Sequence, residues 1–408
     1  MDTPPGRLLA RQPVFDVDRQ IKCFELQLDD SADASTGLLP EAETPPSHIV
    51  NDLCIEDLVG TYPAMLSLSH DLVLPLPGLA TQSNIIMITP STKASAPLVT
   101  ALQDFRKKGV RIALDSFDLS SDQQPLIPYT DIVAVDVLHQ PSNSVVSISE
   151  HFNELPVALM ARNVDTYQAF EFCGKAGFEL FQGEFLCKPE KSNGKDISSS
   201  QLAVLKLLEM LQDESITFAQ LGAVIDQDPI LTLKLVKLVN SPIYRRGREI
   251  DSIERAVSML GIQQVKKLVS MISVSAACSK PDALVVIALT RANMLEHLAR
   301  FASLHPGQLF LAGVLSLMDA FMDRLLPSLI EGLSLTNELK RAVLHLDGPM
   351  GTLLKASIQF ERAQWQQIDW QALSKIGVTP DAMRDSYLHG LQMAQRISNE
   401  LDGAHHSG

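Results

Sequence analysis

Three carboxylates stand at or near the ends of short apolar runs: Glu25 in "IKCFELQL", Asp115 in "RIALDS" and Asp165 after "LMARNV". Several carboxylates converging at strand ends can hold two divalent ions about 4 Å apart and hydrolyse a phosphodiester, given a cation or base to place water. In chain order the strand ends offer Glu25, Ser67, Met87, Asp115 with Ser116, Ala134, Arg162 with Asp165, and Gln182. The carboxylates are thus separated by Ser, Met, Ala and Arg. Carboxylates at strand ends also serve as caps and ion-pair partners, which is their plainer use.

The elements that must position these residues are legible. "LLARQPVF", "IKCFELQL", "AMLSLS", "NIIMIT", "RIALDS", "IVAVDV", "VALMARNV" and "LFQGEFL" read as strands, with helical patterns at 97–109 and 165–177 between them. Gly177 closes the second helix as its cap. Such alternation predicts a (β/α) barrel, with an open doubly wound sheet as the runner-up. Residues 29–48 are small, polar and acidic, and read as a long loop. "KPEKSNGKDISSS" at 188–200 reads as a linker. Beyond it Leu202, Leu205, Leu208 and Leu211 form a helical stripe, and helical patterns continue to about residue 400. The fold class expected is α/β plus all-α: a TIM-like barrel over 1–190, a linker over 191–200 and a helical domain over 201–400.

Charge separates the halves. Residues 1–194 carry 13 Lys and Arg against 26 Asp and Glu, net −13, whereas 195–408 carry 21 against 22. That sign argues against a nucleic-acid footprint on the first half. The longest apolar run, "ALVVIAL" at 283–289, is too short for a membrane span, and "MDTPPGRLLA" lacks the layout of a secretory signal. The five cysteines never fall in CxxC spacing, which predicts reduced thiols in a cytoplasmic protein.

Taken as an ordered series, "ARQPVFDVDRQIKCFELQL", "RIALDSFDLS", "DIVAVDV", "LMARNVDT" and "LFQGEFLCKP" resemble the EAL domain, the cyclic di-GMP phosphodiesterase barrel. The resemblance implies that Glu25 stands at the name-giving metal-binding glutamate. Asp115 is the first aspartate of "DDFG", Asp165 a late acidic position and Gln182 the glutamine near the last strand. Ser67 then replaces an asparagine ligand, Met87 a glutamate, and Ser116 the second aspartate. Ala134 replaces the lysine that orients water, Arg162 the glutamate of "AEGVET", and Asp29 an arginine that contacts phosphate. On this comparison the barrel is expected to hold no metal or cofactor, to carry no catalytic residue and not to be an enzyme. Its acidity predicts poor binding of the dianionic nucleotide.

The stretch 228–268 resembles an HDOD domain: Asp228 and Pro229 open one helix, Asn240 and Ser241 close it, and Ser252 to Gly261 frame the next. Asn240 reads as a helix-ending cap tolerant of the left-handed conformation. The related HD hydrolases need an adjacent His and Asp, yet here "GVLSLMD" has Ser316 and Leu317 at that place. His297, His305, His345 and His389 lack ligand spacing, and the sole His-Asp pair, His70–Asp71, lies in the barrel half. "YRRGR" with Lys266 and Lys267 is the basic cluster; it reads as solvated, or else as a contact for an acidic partner or an RNA backbone, with Arg245 and Arg246 as the candidate partner contacts.

The expectation is a cytoplasmic bacterial signalling protein of the cyclic di-GMP network, possible outputs being motility or biofilm control. It would act on other signalling proteins through the HDOD half, with the barrel regulatory or dimerising. The alternatives are a phosphodiesterase with a rebuilt metal site and a receptor without turnover.

Overall fold

The first two strands, β1 (Leu9–Phe15) and β2 (Ile21–Leu28), are separated by residues 16–20 alone, and that spacing fixes their pairing. So short a link joins antiparallel neighbours only. It is closed by Asp16 N–H donating to Gln20 O and Arg19 N–H to Asp16 O, with Arg19 at φ 64°. In this computed structural model the described residues are 8–28, 55–68, 84–119, 122–190, 199–213, 215–225, 229–242, 244, 250, 253–276 and 280–402.

The later strands are β3 (Ala64–Leu68), β4 (Ile85–Ile88), β5 (Arg111–Leu114), β6 (Ile132–Asp136), β7 (Ala158–Arg162) and β8 (Leu180–Phe181). All eight close in sequence order into one barrel. β2 through β8 pair in parallel, while β1 runs antiparallel to both β2 and β8. The expected barrel is therefore present, with one strand reversed by the hairpin. Its helices are α1 (Ile55–Val59), α2 (Ala96–Lys107), α3 (Ser142–Phe152) and α4 (Tyr167–Lys175). Caps set the starts of both helices, so that α2 begins one residue before the pattern at 97–109 and α4 two residues after the start of that at 165–177, and each ends two residues short of its pattern. Ser95 Oγ accepts from Leu98 N–H at 3.3 Å, and Thr166 Oγ1 from Ala169 N–H at 3.1 Å. Gly109 and Gly177, at φ 83° and 95°, lie just past the helix ends.

The second half is helical throughout. It contains α5 (Ser199–Met210), α6 (Phe218–Ile225), α7 (Pro229–Val239), α8 (Ile253–Leu260), α9 (Ile262–Ala276), α10 (Asp282–Ala302) and α11 (Pro306–Leu315). Then come α12 (Met318–Met322), α13 (Leu326–Ile330), α14 (Asn337–His345), α15 (Gly348–Glu361), α16 (Trp370–Lys375) and α17 (Pro380–Asp402). "ALVVIAL" falls in α10, whose Leu284, Ala292, Met294, Leu295 and Leu298 are fully buried. Two glycines let neighbours approach α10 closely. A Cβ on Gly313 would lie 2.6 Å from Ala292 Cα, and one on Gly390 would lie 2.6 Å from Thr290 O. Among the described residues no helix is long and apolar enough to cross a membrane. The chain divides into two compact units: 1–186 with 360–366, and 187–359 with 367–408. The short segment 360–366 thus groups with the barrel rather than with the helices that flank it in sequence.

Candidate functional site

Side chains alternate along a strand, so the inward residues of one layer identify those of the next. Val14, Cys23, Met65, Ile85, Met87, Ala113, Ile132, Ala134 and Met160 form a buried apolar cluster in the barrel, with Leu180 packed against it. Two positions on, toward the C-terminal ends, stand Glu25, Ser67, Asp115, Asp136, Arg162 and Gln182. Met87 and Ala134 are thus part of the apolar filling. Ala134 does not reach the mouth; Asp136 does so from β6, in register with Arg162 on β7. Naming Ala134 as the end residue of "IVAVDV" stops one layer short, although that run contains Asp136 and the alternation set by Ile132 and Ala134 points to it.

Arg162 is the centre of this layer. Its Nη2 donates to both oxygens of Glu25, at 3.1 and 2.9 Å, and its Nε to Gln182 Oε1 at 2.9 Å. Its Nη1 donates to Asp115 Oδ1 and lies 4.0 Å from Met87 Sδ. Glu25 also accepts from Ser67 Oγ at 3.0 Å and from Gln182 Nε2, while Ser116 Oγ donates to Asp115 Oδ1 at 3.1 Å. Glu25 is 2% exposed. Burial works against the guanidinium charge, but Glu25 and then Asp115 outweigh it and hold Arg162 above its ordinary pKa. The cluster of one cation and two carboxylates keeps a net negative charge.

The backbone after three cluster residues is unusual. Ser116 follows Asp115 at φ 46°, and Asn163 follows Arg162 at φ 58°. Gly183 follows Gln182 at φ 153°, where a Cβ would meet Val164 backbone atoms at 2.2–2.6 Å. Left-handed non-glycine residues are strained and persist where the surroundings demand them. Here the demand is to turn each chain away just after a side chain has been aimed inward.

Asp136 is held differently. Its Oδ2 lies 2.8 Å from His139 Nδ1, and its Oδ1 accepts from the N–H groups of Leu138 and His139 at 3.1 and 3.2 Å. Burial raises its pKa, but the hydrogen bonds from His139 and Asn163 prevail and leave it lowered. Asp165 is not brought into the cluster; its Oδ1 accepts from Glu184 N–H at 3.4 Å. Asp29 and the His70–Asp71 pair lie outside the described residues.

A divalent pair, which the EAL resemblance implies, does not fit these residues. Both oxygens of Glu25 and Oδ1 of Asp115 are already taken by Arg162. Among the described residues no group of three or more His, Cys, Asp or Glu is placed to hold a metal ion.

In the helical unit the Asn240 side chain works in a way the sequence reading missed. It is absent from the residues with positive φ. Its Nδ2 donates to Val236 O at 2.9 Å and to Ile250 O at 2.6 Å, and its Oδ1 accepts from Ile250 N–H at 2.7 Å. Asn240 therefore ties the end of α7 to a residue ten positions on, rather than capping in the left-handed conformation. Ser241 is buried, Pro229 opens α7, and Gly261 follows α8 at φ 82°. Asp228, Ser252, Arg245 and Arg246 lie outside the described residues. The two lysines are not solvated as expected: Lys266 is 6% exposed with Nζ donating to Asp213 O at 2.7 Å, and Lys267 pairs with Glu296 above the Phe310 ring. Ser316 Oγ accepts from Arg291 Nη1 at 3.0 Å and donates to Gly313 O at 2.7 Å; Leu317 is buried. His297 and His389 stack with centroids 4.6 Å apart.

The family profile of the HDOD domain matches residues 198–341. Along nearly its whole length the chain is similar to two curated proteins. One is "Cyclic di-GMP phosphodiesterase CdgJ" of Vibrio cholerae, 26% identical, with 97% of this chain and 94% of that protein covered. The other is "Uncharacterized protein YuxH" of Bacillus subtilis, 25% identical, covering 95% and 98%. Among solved structures, the EAL enzyme Bd1971 in its cAMP- and cyclic-di-GMP-bound form aligns at TM-score 0.37 and 16% identity, over 44% of this chain and 61% of that one. The chain thus has a closed eight-stranded barrel in its first half, and its helical half matches the HDOD domain over residues 198–341. The expectation that it is not an enzyme is corrected here: a relative matched end to end is named a phosphodiesterase, which points to enzyme activity. Counting changed ligand positions tests for one arrangement of metals and for nothing else.

Proposed function

We propose that this chain is a cyclic di-GMP signalling protein, with the nucleotide acting at the barrel mouth and the HDOD domain contacting other signalling proteins. The observation that carries this reading is the end-to-end match to a protein named a cyclic di-GMP phosphodiesterase, covering 97% of this chain. The near-neutral second half, 21 basic against 22 acidic residues over 195–408, raises no charge barrier to a protein partner.

The test uses the full-length protein. Cyclic di-GMP is titrated by calorimetry, and its conversion is followed chromatographically with magnesium or manganese chloride present. Saturable heat or conversion supports the nucleotide part; neither, from a protein folded by circular dichroism, overturns it. For the partner part, a protein recovered by the full chain and lost with R245E/R246E supports the HDOD contact. Equal recovery by that double variant puts the contact elsewhere.

A further inference from the structure

We propose that Arg162 is the resident cation of the barrel mouth, so that the site is formed by a side chain and takes no divalent ion. This rests on the geometry of the barrel and not on the nucleotide reading. The guanidinium directs Nη2 at Glu25, Nη1 at Asp115 and Nε at Gln182. A divalent ion bridging Glu25 and Asp115 Oδ1 would have to displace it from those oxygens, and a guanidinium expelled from a side chain 14% exposed would lose three partners at once.

The rest of the layer is fitted to a fixed organic cation. Ser67 and Ser116 each donate a hydroxyl to a carboxylate oxygen, at 3.0 and 3.1 Å, which a metal-bound oxygen would offer less readily. Gln182 faces both partners, accepting from Arg162 and donating to Glu25, so one amide orientation serves the cation and the anion together. Met87 presents a soft sulfur where oxygen would suit a hard divalent ion. The strained turns at Ser116 and Asn163 belong to the same device, because they directly follow the two residues that form the ion pair. Arg162 here is a structural and positioning residue.

The experiment is calorimetric titration of the full-length protein with manganese and with magnesium chloride, together with scanning calorimetry in either salt or in chelator. The wild type is expected to give a flat isotherm and an unfolding profile unmoved by either ion. A resident site held hundredfold above its Kd would shift the barrel transition by several degrees. Arg162→Met is expected to lower that transition by roughly 10 °C, since it leaves two carboxylates unpaired, and to recover part of the loss in manganese. Arg162→Gln serves if the methionine variant does not fold. Saturable manganese binding by the wild type that disappears in Asp115→Asn or Glu25→Gln would overturn the proposal. So would a folded Arg162 variant that gains no response to manganese, because the guanidinium would then not be what excludes the ion. Should neither variant fold, the wild-type isotherm decides alone.

Discussion

Replacing Asn240 with alanine tests the helical unit at its most economical contact. The amide satisfies both backbone groups of Ile250, accepting its N–H at 2.7 Å and donating to its carbonyl at 2.6 Å. Ile250 is 1% exposed, so these groups are poorly placed to find water instead. An orphaned buried donor or acceptor costs about 1–3 kcal/mol. Two of them, relieved in part by local relaxation, give an expected loss of about 2–4 kcal/mol for N240A. That is a large share of the roughly 5–15 kcal/mol that holds a typical domain. Asn240→Asp sharpens the test: it keeps the shape but presents a carboxylate to the Ile250 carbonyl where a donor stood. Its loss is expected to equal or exceed that of alanine near neutral pH. Urea unfolding followed by helical circular dichroism measures both. A loss below about 0.5 kcal/mol for both variants, the size of an ordinary surface substitution, would refute the reasoning.

Gly390→Ala and Gly313→Ala each drive a Cβ to 2.6 Å from backbone of α10 and should cost about 1–3 kcal/mol, whereas Gly332→Ala, with nothing within 4 Å, should be close to neutral; thermal unfolding of the three variants separates them. His297 has a lowered pKa from burial and then Arg300, against the pull of Asp385 and Glu296, and His389 has one lowered by burial, then by His297, Lys267 and Arg300, against Glu296. Both stay neutral in the folded chain at a pH where the unfolded chain already binds protons, so their contribution falls as pH drops through about 6.5. The double variant H297Q/H389Q should flatten the stability profile between about pH 7 and 5, and an unchanged slope would show that the pair does not titrate in this way.

How much of this was readable from the chain depends on the range of the interaction. All eight strands were legible because buried barrel strands, the parallel ones above all, announce themselves as short apolar runs. The reversal of β1 was implied by the five residues between Phe15 and Ile21, a local matter of chain length. The members of the mouth layer were largely nameable, since period-two alternation carries each strand's phase upward from its core residues. Their pairing was not. Arg162 lies 137 residues from Glu25 and 47 from Asp115, and nothing local says that their side chains meet. Lys266 and Lys267 illustrate the opposite error. Their charge suggested solvent, but a helix phase set by Val265, Leu268 and Val269 turns Lys266 into the interior, where a backbone carbonyl receives it.

The replaced positions of the barrel make physical sense only when taken together. A buried ion pair is stable when the geometry is good and the remaining lone pairs are met, and costly when either fails. An arginine placed among the ligands the EAL resemblance implies would have met that condition poorly. Ser67 and Ser116 are short donors, each bonded to one carboxylate; Gln182 bridges cation and anion; Met87 Sδ lies 4.0 Å from Arg162 Nη1, a weak acceptor that carries no charge. Lysine could not substitute, because a single ammonium lacks the planar fork that reaches Glu25, Asp115 and Gln182 from three nitrogens at once. Each change taken alone reads as the loss of a ligand. As a set they describe a polar layer rebuilt around a different cation, in which every partner of Arg162 that carries charge or a hydrogen-bonding group has an assigned counterpart.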